Sequence, residues 1–163
     1  MKNDDTVRIA MAEAVGTMVL VLGGCGTAIL HTGTYGGFSV GTLGVATAFG
    51  ISLVVMAYAI GGISGCHINP AVSLGMVLAK KVDAAMLPVY WISQCIGGLL
   101  GGLILWAIIK LTNGMPIPKG FATNGYAEGS PGGFSLGSVA LVEVLLTAVL
   151  VFVVLSTTHG KFP

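Results

Sequence analysis

Charge is scarce in this chain, and what there is lies in a few clumps. Only 8% of its 163 residues are Asp, Glu, Lys or Arg, and 55% are hydrophobic. A soluble domain has about 25% charged residues. The net charge of +1 forms no basic stripe, so nucleic-acid binding is excluded. Three scattered cysteines are too few for a disulfide framework or a zinc site. The composition predicts an integral membrane protein without a metal or other cofactor.

The uncharged runs predict an all-α membrane protein with four transmembrane helices. A span needs about 20 mostly apolar residues, and the runs 9–30, 40–60, 84–109 and 136–157 satisfy this. Residues 36–79, uncharged if His67 is neutral, are too long for one span. After the glycine-rich break at 61–65, only residues 69–79 remain as helix, and they cover about half a hydrocarbon core. We therefore predict one re-entrant half-helix there.

The basic residues favour this re-entrant path. If the half-helix enters and leaves on one side, five of the seven lysines and arginines share a face. These are Lys2, Arg8, Lys80, Lys81 and Lys161, with Lys110 and Lys119 opposite. A full crossing would divide them four against three. Because basic residues are enriched on the cytoplasmic side, the N-terminus is predicted to be cytoplasmic.

The half-helix begins in an unusual stretch, SGCHINPAV at residues 64–72. Asn69 is a favoured N-cap and Pro70 suits the first helical position, although Asn-Pro also marks turns in many proteins. Non-helical backbone at membrane depth is tolerated where it lines a watery cavity. The carbonyls of the preceding residues could accept hydrogen bonds, the Asn69 amide could donate, and the positive helix end would repel cations. Those carbonyls belong to Gly65, Cys66, His67 and Ile68. The pattern predicts a pore for small neutral polar solutes.

Residues 64–72 resemble the first Asn-Pro-Ala loop of the aquaporins, the major intrinsic protein family. Residues 12–26 resemble the family's first helix, residues 48–50 its second, and residues 121–133 the outer loop of its bacterial members. The resemblance implies a homotetrameric water channel in a bacterial or archaeal inner membrane, which excludes ions and protons and passes water in single file. Asn69 would be the central donor, with Pro70 and Ala71 against a second half-helix. Phe49 would form one wall of the selectivity filter, as in water-selective members.

Two carboxylates lie within the predicted spans, Glu13 and Glu143. Intramembrane carboxylates are costly and usually functional, and the resemblance implies that both are buried and brace re-entrant loops. Five residues of the first span recur in the fourth at a constant offset of 130. The pairs are Glu13 with Glu143, Thr17 with Thr147, Leu20 with Leu150, Val21 with Val151 and Thr27 with Thr157.

The repeat predicts a single aquaporin-like domain over residues 1–163. Its first repeat covers residues 9–109, and residues 136–157 begin a second, inverted repeat that is incomplete. The family's fifth and sixth spans, its second half-helix and its filter histidine and arginine would come after Pro163. This pattern is expected of a truncated relative, of a fragment, or of chains that complement one another. A non-conducting assembly partner of a full-length channel, and a pore for glycerol or another small solute, are therefore open alternatives.

Four further interpretations concern two side chains, His67 and Cys66, and two short glycine motifs. His67 either braces the loop or lines the pore. The Cys66 thiol is expected on the pore lining, where mercury would bind it. Residues 62–65 fit the G-x-S-G pattern of intramembrane serine proteases, with Ser64 as nucleophile, as a remote alternative. The overlapping G-x-x-x-G pairs at residues 97–102 predict close helix packing within one subunit.

Overall fold

The computed structural model describes residues 3–30, 39–112, 115–130 and 132–159. These residues are helical or irregular, with no strand among them. The helices are α1 (Asn3–Leu30), α2 (Gly41–Ser64), α3 (Pro70–Leu78), α4 (Leu87–Leu111) and α5 (Leu136–Thr157), with single 3₁₀ turns at Ala84–Met86 and Ala127–Gly129. In the described part of the chain, four helices are long and apolar enough to cross a membrane. The predicted all-α class with four spans is confirmed.

The two largest differences from the predicted helix boundaries are at the start of α1 and at the end of α2. Helix α1 begins at Asn3, six residues before the predicted start, because Asp4 and Asp5 suit the positive end of its dipole. Helix α2 continues through the predicted break and ends at Ser64. Gly65 then takes a left-handed conformation (φ 85°), and its N–H donates to the Gly61 carbonyl. Inside a membrane every backbone group must find a partner, so the glycines before it stay helical.

The path of the chain around α3 is re-entrant, as predicted. The hydroxyl of Tyr90, in the first turn of α4, donates to the carbonyl of Ser64, the last residue of α2, at 2.5 Å. Helix α2 therefore ends beside the start of α4, and the chain between them returns to the side from which it came. Helix α3 has nine residues, which is about 14 Å at 1.5 Å per residue.

Helix α1 packs closely against the face of α4 that carries Gly97 and Gly101. A methyl group added at Gly97 would overlap the backbone of Ala14, and one at Gly101 would lie within 3.0 Å of Val21. Gly102 faces open space, with nothing within 4 Å of such a methyl. Helices α1 and α4 run in the same direction, since α2 and the re-entrant segment lie between them. The predicted packing within one subunit is confirmed for one of the two glycine faces.

Alanine substitutions separate the two glycine faces. Gly97→Ala should lower the free energy of unfolding by about 1–3 kcal/mol, as overpacking does, because the new methyl meets backbone atoms of α1. Gly102→Ala is the matched control and should be neutral or stabilising by up to about 1 kcal/mol. Reversible unfolding in mixed micelles measures both. Equal destabilisation by the two changes would contradict the assigned faces.

Candidate functional site

The centre of the site is the Glu13 carboxylate, which is fully buried (0% exposed). Its Oε1 accepts from the Ser64 hydroxyl at 2.6 Å and the His67 N–H at 2.9 Å. Its Oε2 accepts from the Ile68 N–H at 2.7 Å and from Nε2 of Gln94 at 2.8 Å. Four donors thus replace the water that a carboxylate loses on burial. They join α1, the end of α2, the re-entrant loop and α4 at one point.

The backbone of the loop is held in an unfavourable conformation. Cys66 (φ 51°) and Ile68 (φ 39°) follow Gly65 in the left-handed region, which costs a non-glycine residue roughly 1–2 kcal/mol. The Cys66 N–H donates to the Ser64 hydroxyl at 3.1 Å, and the next two N–H groups donate to Glu13. With their N–H groups bound inward, residues 66–68 have carbonyls that do not form helix hydrogen bonds.

Asn69 caps the half-helix as its sequence position predicts. Its Oδ1 accepts from the Ala71 N–H at 2.8 Å and the Val72 N–H at 3.4 Å. Pro70 occupies the first helical position, which needs no N–H donor. Because the cap uses the side-chain oxygen, the two Nδ2 hydrogens of Asn69 are left for other acceptors. The Asn69 side chain is partly exposed at the tip of the loop.

The His67 side chain packs into the protein. Its Nδ1 lies 3.0 Å from the Ser73 hydroxyl, and its ring stacks on Tyr90 with centroids 4.2 Å apart. Only 2% of its surface is exposed. This placement is that of a brace for the loop. The ring Nε2 is buried and has no hydrogen-bond partner among the described residues.

Helix α4 supplies a second set of contacts that sequence reasoning missed. Trp91 Nε1 donates to the Pro70 carbonyl at 3.0 Å, and Gln94 Nε2 donates to the Ser73 hydroxyl at 2.9 Å. Together with the Tyr90 bond to Ser64, these contacts tie the start of the half-helix to α4. The available signal was a polar residue, Gln94, in a long apolar span, one turn after Tyr90.

Phe49 lies on α2, fifteen residues before the end of that helix, and so about 22 Å along its axis from the loop. Its ring covers Gly24 of α1, where a methyl group would overlap ring carbons. The ring is partly buried. The structure therefore places Phe49 toward the N-terminal half of α2, away from the end that leads into the re-entrant loop.

Two side chains lie elsewhere in this structure than the sequence predicted. The Cys66 thiol does not lie on the surface of the loop: it is 9% exposed and packs in an apolar cluster with Ala12, Met56, Ile60 and Ile68. The left-handed turns direct its side chain into the protein. Glu143 is exposed rather than buried, because α5 packs mainly on the short α3 and buries none of its residues.

The protease alternative is also wrong on geometry. The Ser64 hydroxyl donates to a carboxylate, and the nearby His67 ring bonds Ser73 instead. A serine nucleophile needs a histidine base within hydrogen-bond reach.

Among the described residues, no group of three or more His, Cys, Asp or Glu side chains is placed so that it could hold a metal ion.

The sequence of this chain is similar to that of one family of known proteins. The family described as "Major intrinsic protein" matches residues 1–161. Proteins named Aquaporin Z are similar: that of Brucella melitensis is 45% identical over 93% of this chain, and that of Rhodopseudomonas palustris is 41% identical over 94%. The chain spans 66% and 63% of the length of these two curated relatives.

Glu13→Gln tests the carboxylate at the centre of the site. The change replaces one acceptor oxygen by an amide donor that faces the donors of the loop or of Gln94. We expect the free energy of unfolding to fall by about 2–4 kcal/mol, measured by unfolding in mixed micelles.

The same substitution at exposed Glu143 is the matched control and should leave the stability nearly unchanged. If Glu13→Gln were as mild as the control, the four hydrogen bonds would not hold the loop.

Proposed function

Because the chain belongs to the major intrinsic protein family, we propose that it forms the wall of a channel that conducts water and excludes ions and protons. The observation that carries the proposal is the helix start at Asn69 within the bundle. It offers an amide donor, and the non-helical residues before it offer carbonyl acceptors. Proteins of this family are channels rather than enzymes, and the chain is an integral membrane protein.

The pore chemistry follows from the loop geometry. A water molecule that moves along the loop would donate to the carbonyls of Gly65, Cys66, His67 and Ile68, and then accept from Nδ2 of Asn69. The Glu13 hydrogen bonds keep the loop N–H groups occupied, so that the loop presents acceptors. The positive end of the α3 dipole lies at Asn69 and disfavours a cation there. A neutral solute keeps its hydrogen bonds along this path, whereas a cation is repelled.

Water is favoured over larger neutral solutes by two observations. The relatives reported above are named Aquaporin Z, and Phe49 places a bulky ring against Gly24 between α1 and α2. We propose Phe49 as one wall of the filter and Pro70 with Ala71 as the contact surface for an opposing half-helix. A pore for glycerol would need a wider filter than a phenyl ring against a helix suggests.

Two features of the proposal rest on the family alone, namely the bacterial or archaeal inner membrane and the homotetramer. The cytoplasmic N-terminus is proposed from the distribution of the basic residues. The role of α5 as the start of a second inverted repeat is supported by the 130-residue offset between Glu13 and Glu143. A non-conducting role as a partner in the assembly of a longer channel is the second candidate. Exposed Glu143 on an apolar helix favours it, since such a carboxylate needs donors from another segment.

Asn69→Asp tests the proposed donor without removing the helix cap. Aspartate caps as well as asparagine, so α3 should keep its start while the amide donor is lost and a negative charge is added. In stopped-flow shrinkage of liposomes, the unaltered chain should exceed empty liposomes, and Asn69→Asp should reduce that excess by about tenfold or more.

The helical content of the two proteins, compared by circular dichroism, serves as the folding control. Wild-type permeability in a folded Asn69→Asp variant would remove Asn69 from the water path. No permeability above empty liposomes for the unaltered chain would favour the assembly-partner alternative.

A further inference from the structure

We propose that Lys81 is a positioning residue that fixes the last turn of α5 to the end of the half-helix. Its Nζ donates to the Leu155 carbonyl at 3.0 Å and to the Thr158 hydroxyl at 2.8 Å. Both acceptors lie at the C-terminal end of α5. The functional meaning of this contact depends on the proposed channel, whereas the contact itself does not.

The backbone of Lys81 is held by the cap of α3. The Lys81 N–H donates to the Met76 carbonyl at 2.9 Å, and the Lys80 N–H donates to the Val77 carbonyl at 2.9 Å. Lys80 is left-handed (φ 57°), so the pair forms a Schellman cap with lysine where glycine is usual. One residue therefore binds the ends of two helices: its N–H closes α3 and its ammonium group caps α5.

The chemistry suits a lysine at this place. The last carbonyls of a helix have no partner within it, and a cation is favoured at the negative end of the helix dipole. The Thr158 hydroxyl accepts from Lys81 and donates to the Val154 carbonyl at 2.6 Å. The ammonium group is thereby connected to two carbonyls of the last turn, one directly and one through this hydroxyl.

Helix α5 has few other attachments, so this contact decides where its end lies. None of its residues is buried. Apolar surface gives little driving force for helix association in lipid. The close approach of Val151 to Gly75 packs α5 on α3, and a groove of about 500 Å³ opens between the two helices, with Ala71 and Glu143 among its lining residues. The start of α3 is fixed to α4 by Trp91, so Lys81 holds α5 to a half-helix that is itself anchored.

Lys81→Met in lipid nanodiscs tests the proposal, with hydrogen exchange of the whole chain as the measurement. The amides of the last turn of α5 should exchange about tenfold faster, as expected when two hydrogen bonds are lost. Lys81→Arg keeps a donor and should retain the protection. Lys80→Met removes the same charge at the adjacent exposed position and should leave the exchange unchanged.

Unchanged exchange in Lys81→Met would overturn the proposal, and so would equal acceleration in Lys80→Met, which would show a general charge effect. The readout does not involve permeation. A chain that conducts no water therefore still tests the role of Lys81, and failure of the channel proposal is recognised separately in liposomes.

Discussion

The need to satisfy one buried carboxylate organises this structure. Glu13 is enclosed by protein, and its two oxygens take four donors from three other parts of the chain. Each of those donors would be costly to leave unpaired at membrane depth. The carboxylate therefore allows a non-helical loop to lie inside the bundle, and the loop allows a helix to begin there. If Glu13 were apolar, the loop N–H groups would lack an acceptor.

The half-helix α3 also connects α4 to α5. At its start, Trp91 and Gln94 hold it to α4, and at its end Lys81 holds it to α5. Because α3 is short, both ends remain within reach of polar groups, and its middle needs little polar contact. The start of α3 lies within the bundle, whereas a fully spanning helix would have both ends at membrane surfaces, where water competes for such bonds. The position of Asn69 is thus determined by contacts on either side of it.

Local chemistry could be predicted from the sequence, and tertiary orientation could not. The cap at Asn69 follows from residue type and position, and the importance of Glu13 follows from the cost of a carboxylate in an apolar span. The direction of the Cys66 side chain depends on the left-handed backbone of Gly65, Cys66 and Ile68. No periodic sequence pattern predicts such a backbone. Whether Glu143 is buried or exposed depends on which elements cover α5. Composition alone does not determine this. The contacts of Trp91 and Gln94 required knowledge that α4 passes beside α3.

The bond between Glu13 and Gln94 spans 81 residues of sequence, and this separation has a consequence for synthesis. The ribosome completes α1, α2 and the re-entrant loop before the residues of α4 that hold the half-helix exist. A nine-residue apolar helix is too short to be retained across the bilayer on its own. We infer that the half-helix takes its final place only after α4 has entered the membrane, later than its position in the sequence would indicate.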